Sequence, residues 1–66
     1  MTTHRITYVS KYGALQMGRL YGAPDCDSAA IWLGAKYAGS SIRAVDAINE
    51  NAARFWGEHD LGQFAR

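Results

Sequence analysis

One cysteine, Cys26, is all this chain has, so no intramolecular disulfide can form. Its only histidines, His4 and His59, are far apart, and with a single thiol they do not make the ligand pattern of a zinc site. Charge of one sign is also scarce. Seven Lys and Arg against six Asp and Glu leave a net charge of +1. Non-specific nucleic-acid binding draws on a strong basic excess, and mimicry of a nucleic acid needs an acidic one; neither is present. The longest apolar run, residues 29–33, is far too short to span a bilayer. The opening Met1-Thr2-Thr3-His4-Arg5 lacks the apolar segment of a signal peptide. A cytoplasmic location, no membrane association and no strong nucleic-acid binding are therefore the expectations.

Catalytic and cofactor patterns are missing too. Asp25 and Asp27 are a carboxylate pair, but a calcium loop needs a Gly and a distal Glu that are absent; helix capping explains them better. Glu58-His59-Asp60 gathers three ligand types, yet sequence neighbours rarely converge on one ion, and the run reads as a solvated tail. Cys26 has no positioned base, and its flanking aspartates oppose a thiolate. Gly13, Gly18 and Gly22 lack the spacing of a phosphate loop. An enzyme is not expected, nor any cofactor or metal.

What the chain does have is apolar residues, 48% of the total, which argues against intrinsic disorder. Sixty-six residues make one domain. A chain of that size buries only about 60% of its unfolded surface. Tight packing, a second copy or a larger partner must make up the difference.

Residues 5–12 are rich in β-formers, including Ile6, Tyr8, Val9 and Tyr12. Gly13 marks a turn, and residues 15–21 form a second strand with Leu15, Met17 and Tyr21 on one face, interrupted by Arg19. The two are placed to pair as a hairpin. Pro24 with Asp25 or Asp27 opens a helix, in which Cys26, Ala29, Ala30, Leu33 and Tyr37 recur at helical spacing. Gly39 stops it.

Residues 41–56 are the most strongly patterned stretch. At about 100° per residue, Ile42, Ala44, Val45, Ile48, Ala52, Phe55 and Trp56 occupy roughly half a helical wheel. Arg43, Asp46, Glu50 and Arg54 occupy the other half. As a strand the segment alternates badly, since Asp46 would share a face with Ile42, Ala44 and Ile48. The pattern predicts a second amphipathic helix, followed by a turn returning Leu61 and Phe64 to the core. The fold class is then α+β: one domain, with an N-terminal hairpin packed on two helices. The alternative is hairpin-helix-hairpin (ββαββ), with residues 41–48 and 52–56 as the last strands. The four alanines within 41–56 weigh toward helix.

Two resemblances follow from these residues. Ala29-Ala30-Ile31-Trp32-Leu33-Gly34, with Ser40-Ser41-Ile42-Arg43-Ala44-Val45 after it, resembles a helix-turn-helix DNA reader. The ending Asp60-Leu61-Gly62-Gln63-Phe64 resembles the closing turn of excisionase-type winged helices. That resemblance implies a small DNA-binding regulator with Arg43 near the start of its recognition helix. In size and in its hairpin-then-helix order, the chain also resembles the small inhibitors encoded by phages and mobile elements, anti-CRISPR proteins among them. That resemblance implies a stoichiometric protein binder of a large host complex.

A non-enzymatic protein-binding module, an inhibitor or regulator, is the functional expectation; the DNA-binding regulator is the alternative. Ile31 lies about 140° around the wheel from Cys26, so it and Trp32 form the expected contact patch. Arg19, Tyr21 and Arg43 join them as candidate protein-binding residues. The partner is either a second copy or a larger host protein.

Overall fold

A computed structural model describes residues 2–65. The hairpin forms as the β-rich pattern predicts. Strand β1 (Thr3–Val9) pairs antiparallel with β2 (Leu15–Tyr21). Ser10 closes the turn between them: its N–H donates to Ala14 O at 2.8 Å, and its O accepts from Gly13 N at 2.9 Å. Gly13 sits at φ +85, where a Cβ would clash with the backbone.

Helix α1 (Cys26–Lys36) follows, with Asp25 as its N-cap; the carboxylate accepts from Ser28 N at 2.7 Å. That accounts for Asp25 as a structural residue. At the other end Tyr37 N donates to Leu33 O, and Gly39 reverses the chain at φ +89. Two more strands complete the fold, β3 (Ser41–Ile48) and β4 (His59–Gln63). The sheet order is β3-β1-β2-β4, with β1–β3 antiparallel and β2–β4 parallel. Strands β2, β3 and β4 thus run one way and β1 the other. The chain crosses the sheet twice: α1 carries it from β2 to β3, and residues 49–58 carry it from β3 at one edge to β4 at the other.

The domain is α+β, but the second helix expected over 41–56 is not there. Residues 41–48 are a strand, as in the ββαββ alternative. Residues 52–56 are not the fourth strand; they belong to the crossing loop. The register shows why the alternation misled. Ile6 faces Val45 and Thr7 faces Ala44, but Tyr8 faces Ile42, so the pairing skips Arg43. A β-bulge shifts the parity by one. Ile42 and Val45, of opposite parity in sequence, both pack against the core on the helix-covered face. Asp46, opposite Arg5, turns to the other face. The tail is likewise a strand rather than a helical turn, and a second skip, between Asp60 and Gly62, falls at Leu61.

The core lies between α1 and the sheet: Ile6, Tyr8, Leu20, Ala23, Ala29, Leu33 and Leu61, with Trp32, Ile42, Val45 and Phe64 packed around it. Gly18 makes room for Leu61; a Cβ there would lie 2.6 Å from Leu61 Cγ. His4 is buried in the same layer, and its Nδ1 has no hydrogen-bond partner. Among the described residues no helix is long and apolar enough to cross a membrane.

Candidate interaction surface

The second face of the sheet, away from α1, presents Arg5 and Arg19 as cross-strand partners. Two arginines side by side on a largely covered face repel unless a counter-charge lies between them. The crossing loop supplies it. Glu58, expected in a solvated tail, has a side chain with no solvent exposure. Its carboxylate accepts from Arg5 Nε at 2.8 Å and Phe55 N at 3.2 Å, and also from Arg19 Nε. The guanidinium groups reach further into the loop. Arg5 Nη2 donates to Ala53 O at 2.8 Å; Arg19 Nη2 donates to Ala52 O at 2.9 Å and Ala53 O at 3.2 Å. Loop carbonyls that would otherwise lack partners over a sheet are thereby satisfied. Burial by itself would raise the Glu58 carboxyl pKa. The hydrogen bonds from Arg19, Phe55 N and Arg5 outweigh it and hold that pKa below the ordinary range.

Beside this clasp, Asp60 accepts from Arg54 Nη2 at 2.7 Å and from the Tyr21 hydroxyl at 3.0 Å, and Tyr21 Oη accepts from Arg54 at 2.9 Å. The Asp60 carboxyl is held low, chiefly by the Arg54 hydrogen bond. The loop is therefore fixed at both of its ends. Asn49 starts it with an Asx turn, its Oδ1 accepting from Asn51 N at 2.8 Å. A tight turn ends it, Glu58 N donating to Phe55 O at 3.0 Å with Gly57 at φ +83.

The side chains this turn projects are apolar. Phe55 is 53% exposed, its ring 4.0 Å from the Arg5 guanidinium carbon. Trp56 is fully exposed. Trp56, Leu15 and Met17 line a shallow depression of about 250 Å³. Sequence reasoning missed this surface, because the helical wheel assigned Phe55 and Trp56 to a buried arc. The signal available was the order Asn49-Glu50-Asn51 and then Phe55-Trp56-Gly57: turn formers on both sides of the aromatic pair.

Ile31 and Trp32 come together as expected, lining with Phe64 a shallow depression of about 290 Å³, but Arg19, Tyr21 and Arg43 do not line it. Ile31 is exposed on α1, at 73%. Trp32 is half-buried against the core, edge-on to Tyr37, with Lys36 Nζ 4.9 Å from its ring centroid. Arg19 is buried in the Glu58 clasp and is not a surface residue. Tyr21 is half-buried and tied to Asp60 and Arg54. Arg43 is exposed at the β3 bulge. A strand at Ser41–Ile48 also leaves the helix-turn-helix resemblance without its recognition helix.

No protein-family model, no curated protein and no solved structure matches the chain.

Proposed function

We propose that this protein is a non-enzymatic protein-binding module, a stoichiometric inhibitor or regulator of a larger host complex, and that the Phe55–Glu58 turn carries its anchor. The observation that carries this reading is Trp56, fully exposed on a turn fixed by a buried carboxylate and two strand arginines. The turn that carries this Trp is already ordered, so binding through it costs no further ordering of the backbone there. Large aromatic side chains are the usual energetic centres of protein interfaces, and Trp56 lines its depression with Leu15 and Met17. The likeness in size and pattern to small phage-encoded inhibitors agrees with a stoichiometric mode of action.

The test compares wild type with Trp56→Ala. Trp56 supports nothing within the domain, so the variant is expected to melt at the wild-type temperature. In nuclease-treated host lysate, a partner held by wild type is expected to be lost or weakened about thirtyfold, the consequence of removing roughly 2 kcal/mol of contact energy. A variant that retains every wild-type partner at full affinity removes Trp56 as the anchor. Partners that disappear from the wild-type sample on nuclease treatment point to nucleic acid instead.

A further inference from the structure

A groove of about 600 Å³ opens on the helix-covered face of the sheet, between the β1–β2 turn, the end of α1 and the start of β4. Its walls carry Tyr8, Tyr12, Tyr37, Lys11, Lys36 and His59. It contains no residue of the Trp56 turn.

Three properties of these walls belong together. The first is charge. Lys11 and Lys36 are the only lysines in the chain. They come from separate elements, and both line this one groove, which has no carboxylate in its lining. Among the described residues the ion pairs are Arg5 and Arg19 with Glu58, and Arg54 with Asp60, so both lysines remain without an acidic partner. Each instead rests over a ring, Lys11 Nζ 5.2 Å from the Tyr12 centroid and Lys36 Nζ 4.9 Å from that of Trp32, which lies outside the groove lining, so Lys36 turns away from Trp32 to meet a ligand. These are weak contacts at exposed sites, readily exchanged for an anion. The carbonyl dipoles at the end of α1 oppose an anion. They are partly spent, since Leu33 O accepts from Tyr37 N, and Tyr37 O accepts from Ser40 N and Ser40 Oγ.

The second property is flat aromatic surface. Tyr8 and Tyr37 are stacked, with centroids 6.2 Å apart and planes 23° apart. Tyr8 is buried, while Tyr37 is 37% exposed and Tyr12 85% exposed. Tyr37 also meets Trp32 edge-on and keeps part of its ring open to solvent. The third is a polar floor. The Tyr8 hydroxyl lies 3.2 Å from His59 Nε2, and burial, with a smaller effect from Tyr37, raises the Tyr8 pKa and keeps the phenol protonated. Half-buried Gln16, opposite Tyr8 in the register, adds an amide.

We infer that this groove binds a small ligand joining a planar ring to a phosphate group, in class a nucleoside monophosphate: the ring stacks on the tyrosines and the phosphate is held by Lys11 and Lys36. The volume is that of an ordinary small-molecule site. Stacking without base-edge readout tolerates any base, and an ammonium group serves phosphate as a point charge. The site is independent of the Trp56 surface, and either can fail without the other.

Titration with AMP, UMP, adenosine and inorganic phosphate, followed by NMR at physiological salt, tests it. AMP and UMP are expected to bind similarly, at submillimolar concentration, shifting the Tyr8, Tyr37 and His59 resonances. Adenosine and phosphate are each expected to bind at least tenfold more weakly. The Lys11→Gln/Lys36→Gln variant, checked for an unchanged melting temperature, is expected to lose at least tenfold in AMP affinity. The two single variants give the same reading if the double variant does not fold. Adenosine equal to AMP would remove the lysines from the site, and phosphate equal to AMP would remove the stack. A folded lysine variant with wild-type affinity, or saturable binding of a poly-glutamate peptide with none of AMP, overturns the proposal.

Discussion

Replacing Glu58 tests the most consequential interaction in the fold. Its carboxylate is the only acid within the clasp formed with Arg5 and Arg19, and the side chains of Glu58 and Arg19 are 0% and 3% exposed. Glu58→Ala leaves the Arg19 guanidinium buried without a counter-charge and frees Phe55 N. Breaking a buried pair in this way costs about 3–5 kcal/mol. The lower end applies here, because the molecule is only 16 Å through its shortest dimension and solvent lies close to the clasp. For 66 residues, total stability is roughly 3–10 kcal/mol, so about 3 kcal/mol is a third of it or more. The melting temperature is expected to fall by about 12–24 °C, measured by circular dichroism at neutral pH. Glu58→Gln, which keeps an acceptor but not the charge, is expected to fall between. Asp60→Ala, at an exposed pair with Arg54, is expected to move it little. The same carboxylate sets a pH dependence. Its pKa is held below the ordinary 4.5, so its contribution is complete above that value and is lost as pH falls through the lower folded-state pKa. Asp25 and Asp60 are held low too, Asp25 chiefly by the Ser28 amide and Asp60 chiefly by Arg54. The informative quantity is therefore the difference in slope: Glu58→Gln should lose stability less steeply than wild type between about pH 5 and pH 3. An unchanged melting temperature in Glu58→Ala would refute the assignment of the clasp as what holds the crossing loop.

The remaining expectations concern packing and are checked by chemical denaturation. Gly18→Ala drives a methyl into Leu61 and is expected to cost about 1–3 kcal/mol; in the Leu61→Ala background the added cost should largely vanish, and strict additivity would contradict the contact. Leu33→Ala, fully buried, is expected to cost about 2–4 kcal/mol. Ile48→Ala, which a helical 41–56 would have made equally severe, is expected to cost about 1 kcal/mol or less, since Ile48 is half-buried on an edge strand. Equal losses at the two positions would restore Ile48 to the core. His4→Leu removes a buried ring nitrogen that has no partner and is expected to leave stability unchanged or raised; a clear fall would mean that Nδ1 meets a water.

The hairpin and α1 were legible because each obeys a single period. Ile6 and Tyr8 keep one parity, and Asp25, Ala29 and Leu33 keep helical spacing up to Gly39; the face read at Leu15, Met17 and Tyr21, by contrast, is the one away from α1, and the second strand gives Leu20 to the core. The second half was not, because both of its strands carry a bulge. A shift of one residue at Arg43 puts Ile42 and Val45 on one face, and the resulting mixture of spacings imitates a helix over eight residues. Leu61 and Phe64, three apart, imitate one for the same reason. The exposed aromatic turn was hidden by a different cause. An apolar arc implies burial only if the residues are helical, so Phe55 and Trp56 lost their assignment together with the helix. Arg19 looked like an interruption in an apolar strand face; it became intelligible only once Glu58, thirty-nine positions away, was seen to lie against it. Nothing local in the sequence announces that pairing.

The two bulges also govern how the sheet ends. Strands β3 and β4 leave outward rows of backbone donors and acceptors, which in a flat strand invite another chain to add by main-chain hydrogen bonding. Here the longer edge is broken at Arg43 and carries Asp46 further along, while the shorter has only five residues and is bent at Leu61 and Gly62. Only residues 44–48 of the longer edge keep an unbroken register, so strand addition or open-ended stacking is disfavoured at both edges. Short, interrupted edges of this kind guard against edge-to-edge aggregation in a molecule that leaves Phe55 and Trp56 exposed to water.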